Sequence, residues 1–398
     1  MDLRFLAFGN HPRLSLAEFL AVSPNSKLIA QSPKAIVLKT KDWEDDILMA
    51  RLGGTIKLGD IIWSGKNDDL TPEAIADLMV QGQDFASMEF GWTVFGADGK
   101  QKKAFEKFPI RIKNALKALG WKPRWVSSQD GQPLSPAAVA KCHLTKKPNA
   151  DLCLIIGREE SYLGRTTQVQ DADAWSLRDY GRPYRDDENG MLPPKLARML
   201  INLAQVPKDG CLLDPFCGSG TVLMEAALAT PASKILGSDI DSRQTYDSQS
   251  NLDWLAAKNI LRPDDMPRFR VFESDVKSIA QHIKPKSVDA VVTEGWLGPP
   301  LRGHEPMETV ANNAAHITDL WVHALKALRP LLKPKGCVVG IFPSFKKGSH
   351  IISTLHGLDL ASLGFKMKNL PENIRPEELY YERTGQHLRR NILVLEAA

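Results

Sequence analysis

The sequence predicts an α/β protein: a Rossmann-like, doubly wound sheet in the second half, preceded by a smaller α+β region. Three observations carry this. After Gly210, short apolar runs alternate with amphipathic segments, the pattern of strands and covering helices. A glycine turn, Asp214-Pro-Phe-Cys-Gly-Ser-Gly-Thr221, joins one such run to an apolar helix. Ahead of it, residues 100–147 hold twelve Lys or Arg against two acids, Glu106 and Asp130, so that +10 of a chain with net charge +4 sits in one stretch and the remainder carries −6.

The elements follow in chain order. Residues 5–8, 28–30 and 35–38 are apolar runs between turn residues and read as strands, with a short helix over 14–20 that Ser15 can cap. These form a first α+β unit, ferredoxin-like, over 1–50. A second unit spans 51–165. Its helix over 111–119 buries Ile112, Leu116 and Leu119, while Lys113 and Lys117 lie four apart on one face. Strands follow at 124–127 and 151–156. The concentrated positive charge is either the footprint of a phosphate-binding surface or a solvated basic face. Lys113, Lys117, Arg124 and Lys57 are the candidate phosphate partners there.

Residues 166–190 turn polar, with Arg178, Asp179, Arg182, Arg185, Asp186 and Asp187, and predict a linker. The last domain, 191–398, opens on an amphipathic helix. Leu196, Met199, Leu200 and Leu203 recur at helical spacing behind Pro193 and Pro194, which suit a first turn. Strands are predicted at 211–214, 234–239, 269–272, 290–293, 336–342 and 391–396, with helices at 221–229, 243–258 and 318–332.

Composition narrows the class. The chain is 43% apolar and 25% charged, an ordinary globular balance. No apolar run approaches the roughly 18 residues of a membrane span, and the start MDLRFLAFGN lacks the basic and long apolar regions of a secretory signal. A soluble, cytoplasmic protein is expected. The five cysteines are odd in number and form no C-x-x-C pair, which argues against a disulfide framework or a zinc site, and no metal is expected.

The glycine turn carries the chemistry. Two glycines between strand and helix let a ligand approach the backbone, and the helix N-terminus offers N–H groups to an anion. Pro215, Phe216, Gly218, Gly220 and Thr221 are therefore cofactor-binding candidates. Asp214, at a strand's carboxyl end, can accept from a ligand amino group. Asp239, followed by Ile240, lies nineteen residues past Gly220, where an acid typically binds a ribose hydroxyl pair. Asp275, followed by Val276, ends the third strand and can accept from an adenine amine. Each acid could instead be a turn residue or a cap. A dinucleotide fingerprint needs a third glycine, which is absent after Gly218-Ser-Gly220.

These residues carry a family resemblance. Asp214-Pro-Phe-Cys-Gly-Ser-Gly-Thr221 resembles the first motif of the RNA N-methyltransferases that append a THUMP domain. Arg178-Asp-Tyr-Gly-Arg-Pro183 and Gly190-Met-Leu-Pro-Pro-Lys-Leu-Ala197 resemble the segment before that motif in tRNA guanine-N2 methyltransferases, and Arg51-Leu-Gly-Gly-Thr-Ile-Lys-Leu-Gly59 resembles the THUMP region. The resemblance implies S-adenosylmethionine as cofactor, tRNA as partner and a guanine exocyclic amine as target. By the same resemblance Pro194 and Lys195 border the cofactor pocket. The family's fourth motif usually reads Asp-Pro-Pro-Tyr, whereas this chain has Thr293-Glu-Gly-Trp-Leu-Gly298. Glu294 takes the place of the acid, the Gly295 carbonyl is a second acceptor, and Trp296 supplies the ring that stacks on a base. Arg302, just beyond, can meet a phosphate.

The altered fourth motif keeps a second class open, an RNA-binding protein with a decayed methyltransferase site, as well as methylation of a different RNA nucleoside. A nicotinamide oxidoreductase would have no use for the +10 segment. Intact acids at three strand ends favour the enzyme, acting by direct in-line transfer without a cysteine nucleophile.

Overall fold

The computed structural model describes residues 2–40, 44–84, 87–128, 132–185, 191–371 and 374–398. Asp130, Asp186, Asp187 and Gly190 lie outside the described residues. The chain divides into two units, Met1–Pro12 with Ser23–Asp173, and Arg13–Val22 with Ala174–Ala398.

Up to the division the elements run β1 (Asp2–Phe8), α1 (Pro12–Val22), β2 (Lys27–Ser32), β3 (Ala35–Thr40), α2 (Asp45–Arg51), β4 (Thr55–Gly65), α3 (Pro72–Val80), β5 (Ser87–Phe95), α4 (Gly99–Phe105), α5 (Phe108–Ala118), β6 (Lys122–Trp125), α6 (Pro136–Lys141), β7 (Ala150–Ile156) and β8 (Ser161–Val169). One eight-stranded sheet, ordered β2-β3-β1-β4-β8-β7-β5-β6, organises the first unit. The helices start where capping side chains satisfy the first N–H groups. Thr71 accepts from Ala74 N–H at 3.1 Å, and Asp98 forms a reciprocal box with Gln101. Every residue of β7 is buried, as expected of a strand covered on both faces.

Two boundaries expected from composition are corrected. Residues 1–50 and 51–165 do not form separate units, because β1 pairs antiparallel with β4, with Phe5 opposite Gly59. A Cβ at Gly59 would stand 2.0 Å from the Arg165 carbonyl oxygen, so the close strand approach requires glycine. Nor does α1 stay with the first unit: its buried Glu18 accepts from Asn202 at 2.7 Å, within the second.

The second unit continues with α7 (Ala172–Tyr180), α8 (Pro194–Ala204), β9 (Cys211–Asp214), α9 (Thr221–Ala229), β10 (Lys234–Asp239), α10 (Ser242–Ala257), β11 (Phe269–Glu273), β12 (Val288–Glu294), α11 (Met307–Leu328), β13 (Leu332–Lys347), β14 (His350–Ser353), β15 (Phe365–Met367), β16 (Tyr380–Glu382) and β17 (Leu388–Ala397). The central order is β11-β10-β9-β12-β13-β17-β15. The strands from β11 to β13 are parallel, β17 joins β13 antiparallel, and β15 pairs antiparallel with β17 and so runs with the parallel strands. Strand order reverses between β9 and β12, which makes their carboxyl ends the switch point where such sheets bind ligands. Ile317, Trp321, Leu325 and Leu328 of α11 join Val291, Val338 and Phe342 in one core, with Trp321 stacked 4.1 Å from Phe342.

The linker expected over 166–190 is largely folded. β8 runs to Val169 and α7 follows it. Polar composition misleads here because two of the arginines, Arg178 and Arg182, are buried. Arg178 donates to Glu225 at 2.7 Å and lies 4.3 Å over the Trp175 ring, and Arg198 takes the other oxygen of Glu225 at 2.6 Å.

Candidate active site

A cleft of about 600 Å³ opens at the switch point. The β9–α9 turn forms one wall, and the ends of β10, β11 and β12 line the cleft with Met191, Leu192, Gln244 and Leu320. The turn is pinned from several sides. Cys217 N–H donates to the Ser238 carbonyl at 2.9 Å, and Gly218 N–H donates to Asp239 Oδ2 at 3.0 Å. Both arginines of the Arg178–Arg182 segment are tied to α9, Arg178 through Glu225 and Arg182 through the Thr221 hydroxyl at 2.7 Å.

Asp214 is buried at the end of β9. Its Oδ1 accepts from the Thr293 hydroxyl at 2.6 Å and from Phe216 N–H at 3.1 Å. Burial pushes its carboxyl up to about 7, further raised by the neighbouring charges of Asp239 and Glu294. Burial likewise raises Asp239, which also accepts from Asp241 N–H at 3.1 Å. Asp275 accepts from Lys277 N–H at 2.9 Å and starts the short helical turn Val276–Gln281.

Glu294 ends β12, the strand next to β9, with a side chain 11% exposed. Burial raises its carboxyl, and Arg390 opposes that rise by donating from Nε to Oε1 at 2.6 Å. Trp296 lines the cleft and is half exposed. Gly295 between them sits against Trp321, whose ring would lie 3.3 Å from an added Cβ.

The lining thus unites Asp214, Pro215, Phe216, Gly218, Thr221, Asp239, Ile240, Asp275, Val276, Glu294, Gly295 and Trp296. Three of the expected cofactor neighbours do not line the cleft. Gly220 lies outside the lining: its φ of 86° caps α9, and a Cβ there would meet Ser248 Oγ at 2.4 Å, so it serves helix packing. Pro194 and Lys195 give way to Met191 and Leu192 as lining residues. Pro194 is buried at the head of α8, and the Lys195 ammonium stands 5.8 Å from the Trp175 ring centre.

The basic candidates divide. Lys117 is exposed and Lys113 half-buried on α5. Exposed Arg124 pairs with Glu89 at 2.7 Å. Arg302 is exposed, with its backbone N–H bound to Glu305 at 2.6 Å. Lys57 is a correction. It is fully buried and bonds Asp151 at 2.7 Å, while the Thr166 hydroxyl takes the same oxygen at 2.7 Å. A lysine held there cannot reach a phosphate.

Among the site residues that sequence reasoning missed are Arg390, Met191, Leu192 and Gln244. Arg390 is ninety-six residues from Glu294, and no local pattern joins them. No described helix is long and apolar enough to cross a membrane. Among the described residues no group of three or more His, Cys, Asp or Glu could hold a metal ion.

Residues 182–294 match the RMKL-like methyltransferase domain family. Three of the relatives carry a tRNA methyltransferase name. The tRNA (guanine(10)-N2)-dimethyltransferase of Methanocaldococcus jannaschii is 32% identical over 40% of this chain and 43% of its own length. The protein so named in Methanothermobacter thermautotrophicus is 26% identical over 75% of this chain and 78% of its own length. The Methanothermococcus thermolithotrophicus protein named Probable tRNA (guanine(10)-N2)-dimethyltransferase is 32% identical over 31% of this chain and 72% of its own length. Among solved structures, TrmN from Thermus thermophilus superposes with a TM-score of 0.56 at 17% identity, covering all of both chains, a likeness of fold.

Proposed function

We propose that this chain, which belongs to the tRNA guanine-N2 methyltransferase family, transfers a methyl group from S-adenosylmethionine to the exocyclic N2 amine of a guanosine in tRNA, of the guanine-10 type that its relatives' names specify. One observation carries the reading: acids at or just past the ends of β9, β10 and β11 line a single cleft together with an acid and an aromatic ring at the end of β12.

The residues present fit the cofactor. A volume of about 600 Å³ lies within the usual range for such ligands. Gly218 turns at a φ of 49° and leaves one wall without a side chain. Asp214 would take the amino group, Asp239 the ribose hydroxyls and Asp275 the adenine amine, with exposed Ile240 and buried Val276 as apolar neighbours. When bound, the cofactor supplies a sulfonium methyl to an in-line nucleophile.

The chain's own task is positioning. A guanine N2 lone pair is delocalised into the ring, so the amine must be held in line with its N–H groups accepted. Glu294 Oε2 and the Gly295 carbonyl are the acceptors, and Trp296 stacks on the base. The test is methylation of unmodified tRNA transcripts by the purified protein and S-adenosylmethionine, read by mass spectrometry of the digested nucleosides. N2-methylguanosine or its dimethyl form is expected. Another methylated nucleoside would overturn the target atom. Absence of any methylation together with absence of cofactor binding would favour a decayed site.

Direct transfer needs no thiol. Cys217 is buried, and burial pushes its thiol well above the ordinary range, so it does not serve as a thiolate. Cys217→Ala is therefore expected to give the same product; a variant that binds cofactor yet transfers no methyl would refute this. The first unit supplies the RNA grip through Lys113 and Lys117, with Arg124 beside them and Arg302 in the second unit. Reversing both lysines to Glu is expected to weaken tRNA binding and flatten its dependence on log salt by about one for each phosphate no longer neutralised. An unchanged slope would return the pair to a solvated face.

A further inference from the structure

We propose that Arg390 is a positioning residue for the transfer: from β17 it holds the Glu294 carboxylate along the cleft wall, leaving Oε2 to receive the amine of the bound base. The inference rests on the methyl-transfer reading above and adds to it a residue that neither the motifs nor the relatives point to.

The geometry comes from strand register. Glu294 lies opposite Ile341 of β13, and Ile341 lies opposite Ile392 of β17. Arg390 is two residues from Ile392, so its side chain spans the strand between. Only a long side chain with a donor at its tip can do this, and Arg390 Nε reaches Oε1 at 2.6 Å, a charge-assisted length. Arg390 is 6% exposed, so it is placed inside the fold to meet this one acid rather than solvent. Oε2 receives no hydrogen bond from a described residue.

The pairing answers a chemical problem. The ionised carboxylate is the stronger acceptor for an amine N–H, because protonation turns one of its oxygens into a donor and leaves less acceptor capacity. Burial favours the protonated form of Glu294 and Arg390 opposes it. Arg383, whose Nε bonds the Tyr381 hydroxyl at 3.2 Å, adds positive charge, and Asp214 faces from β9 with negative charge. The pair also accounts for a Glu where the resembling enzymes carry Asp. The extra methylene is taken up by drawing the carboxylate toward β17.

Three variants test this: Arg390→Met, Arg390→Lys and Glu294→Asp. Arg390→Met is expected to lower kcat at pH 7 about a hundredfold, the loss typical of a misplaced group, with KM for tRNA and cofactor unchanged. Without its partner Glu294 stays protonated to higher pH, so the acid limb of the kcat profile should move to higher pH. Arg390→Lys should recover part of kcat, and Glu294→Asp should lose kcat because the carboxylate withdraws from Arg390. An unmoved acid limb, or a loss that follows the melting temperature and is not relieved by Lys, would reduce Arg390 to a strand tie and overturn the proposal.

A readout independent of turnover is the carboxyl titration of Glu294 in protein carrying 13C-labelled glutamate. A higher midpoint in Arg390→Met, or in Arg390→Lys if Met does not fold, supports the pairing even if the wild-type protein methylates nothing, in which case the reaction assigned above is what fails. Equal midpoints in an active enzyme overturn the Arg390 proposal and leave the reaction standing.

Discussion

Glu294→Ala is expected to bind S-adenosylmethionine like the wild type and to turn over tRNA about a thousandfold more slowly, within the span typical of losing one preorganised polar contact at the reacting centre. The reasoning runs through the sheet. Glu294 ends β12, whereas Asp214, Asp239 and Asp275 end or follow three other strands, so the cofactor's polar partners remain in place. The loss falls on the amine, which keeps the Gly295 carbonyl but no carboxylate. One side effect must be separated from it. Alanine leaves the Arg390 guanidinium, 8% exposed at its side chain, without its acid, and removing one partner of a buried pair destabilises by roughly 3–5 kcal/mol. Turnover must therefore be compared below the melting transition of both proteins. Glu294→Gln keeps the shape but presents an amide, and it should also be slow. Wild-type turnover in Glu294→Ala would remove Glu294 from the reaction.

What was legible in the sequence was local. The turn from Asp214 to Thr221 is a contiguous string whose function follows from strand, glycines and helix, and it lines the cleft as expected apart from Gly220. Asp239 and Asp275 also line the cleft, and their strand ends are marked by the residues beside them. What was not legible is set by pairing across the sheet or by burial of charge. Lys57 looked like one more cation until Asp151, on a strand far along the chain, enclosed it. Arg178 gave its segment the composition of a linker, yet it is buried on Glu225. α11 starts at Met307, ahead of the expected residue 318, because Val310 and Ala314 already face the core while the polar residues around them mask the periodicity. Arg390 meets Glu294 only because β13 separates their strands by one position. Apart from the start of α11, these are non-local pairings, which leave no periodic trace.

Asp214→Asn should separate stability from binding, with opposite signs. The Asp214 carboxyl titrates near 7 instead of 3.8 because its charged form is buried. A group raised in this way contributes stability that is complete below its ordinary value and is lost as pH rises through the folded one. Between about pH 4 and pH 8 the ligand-free protein therefore loses on the order of 4 kcal/mol from this carboxyl, at about 1.4 kcal/mol per unit. Asparagine cannot acquire the charge, and its Oδ1 can still accept from Thr293 and Phe216 N–H. The ligand-free variant should melt above the wild type at pH 8, and the gap should close as pH falls toward 4. Cofactor affinity should move the other way. A hydrogen bond to a charged group is worth about 1.5–3 kcal/mol, so losing the carboxylate weakens binding by on the order of a hundredfold. Thermal melts across pH and calorimetric titration of S-adenosylmethionine measure the two effects separately. A variant that melts lower at pH 8 would show that Asp214 is not a strained charge, and wild-type affinity would show that it does not bind the amino group. Both effects appearing together would mean that the fold tolerates a costly buried carboxylate at the end of β9 because ligand binding requires it there.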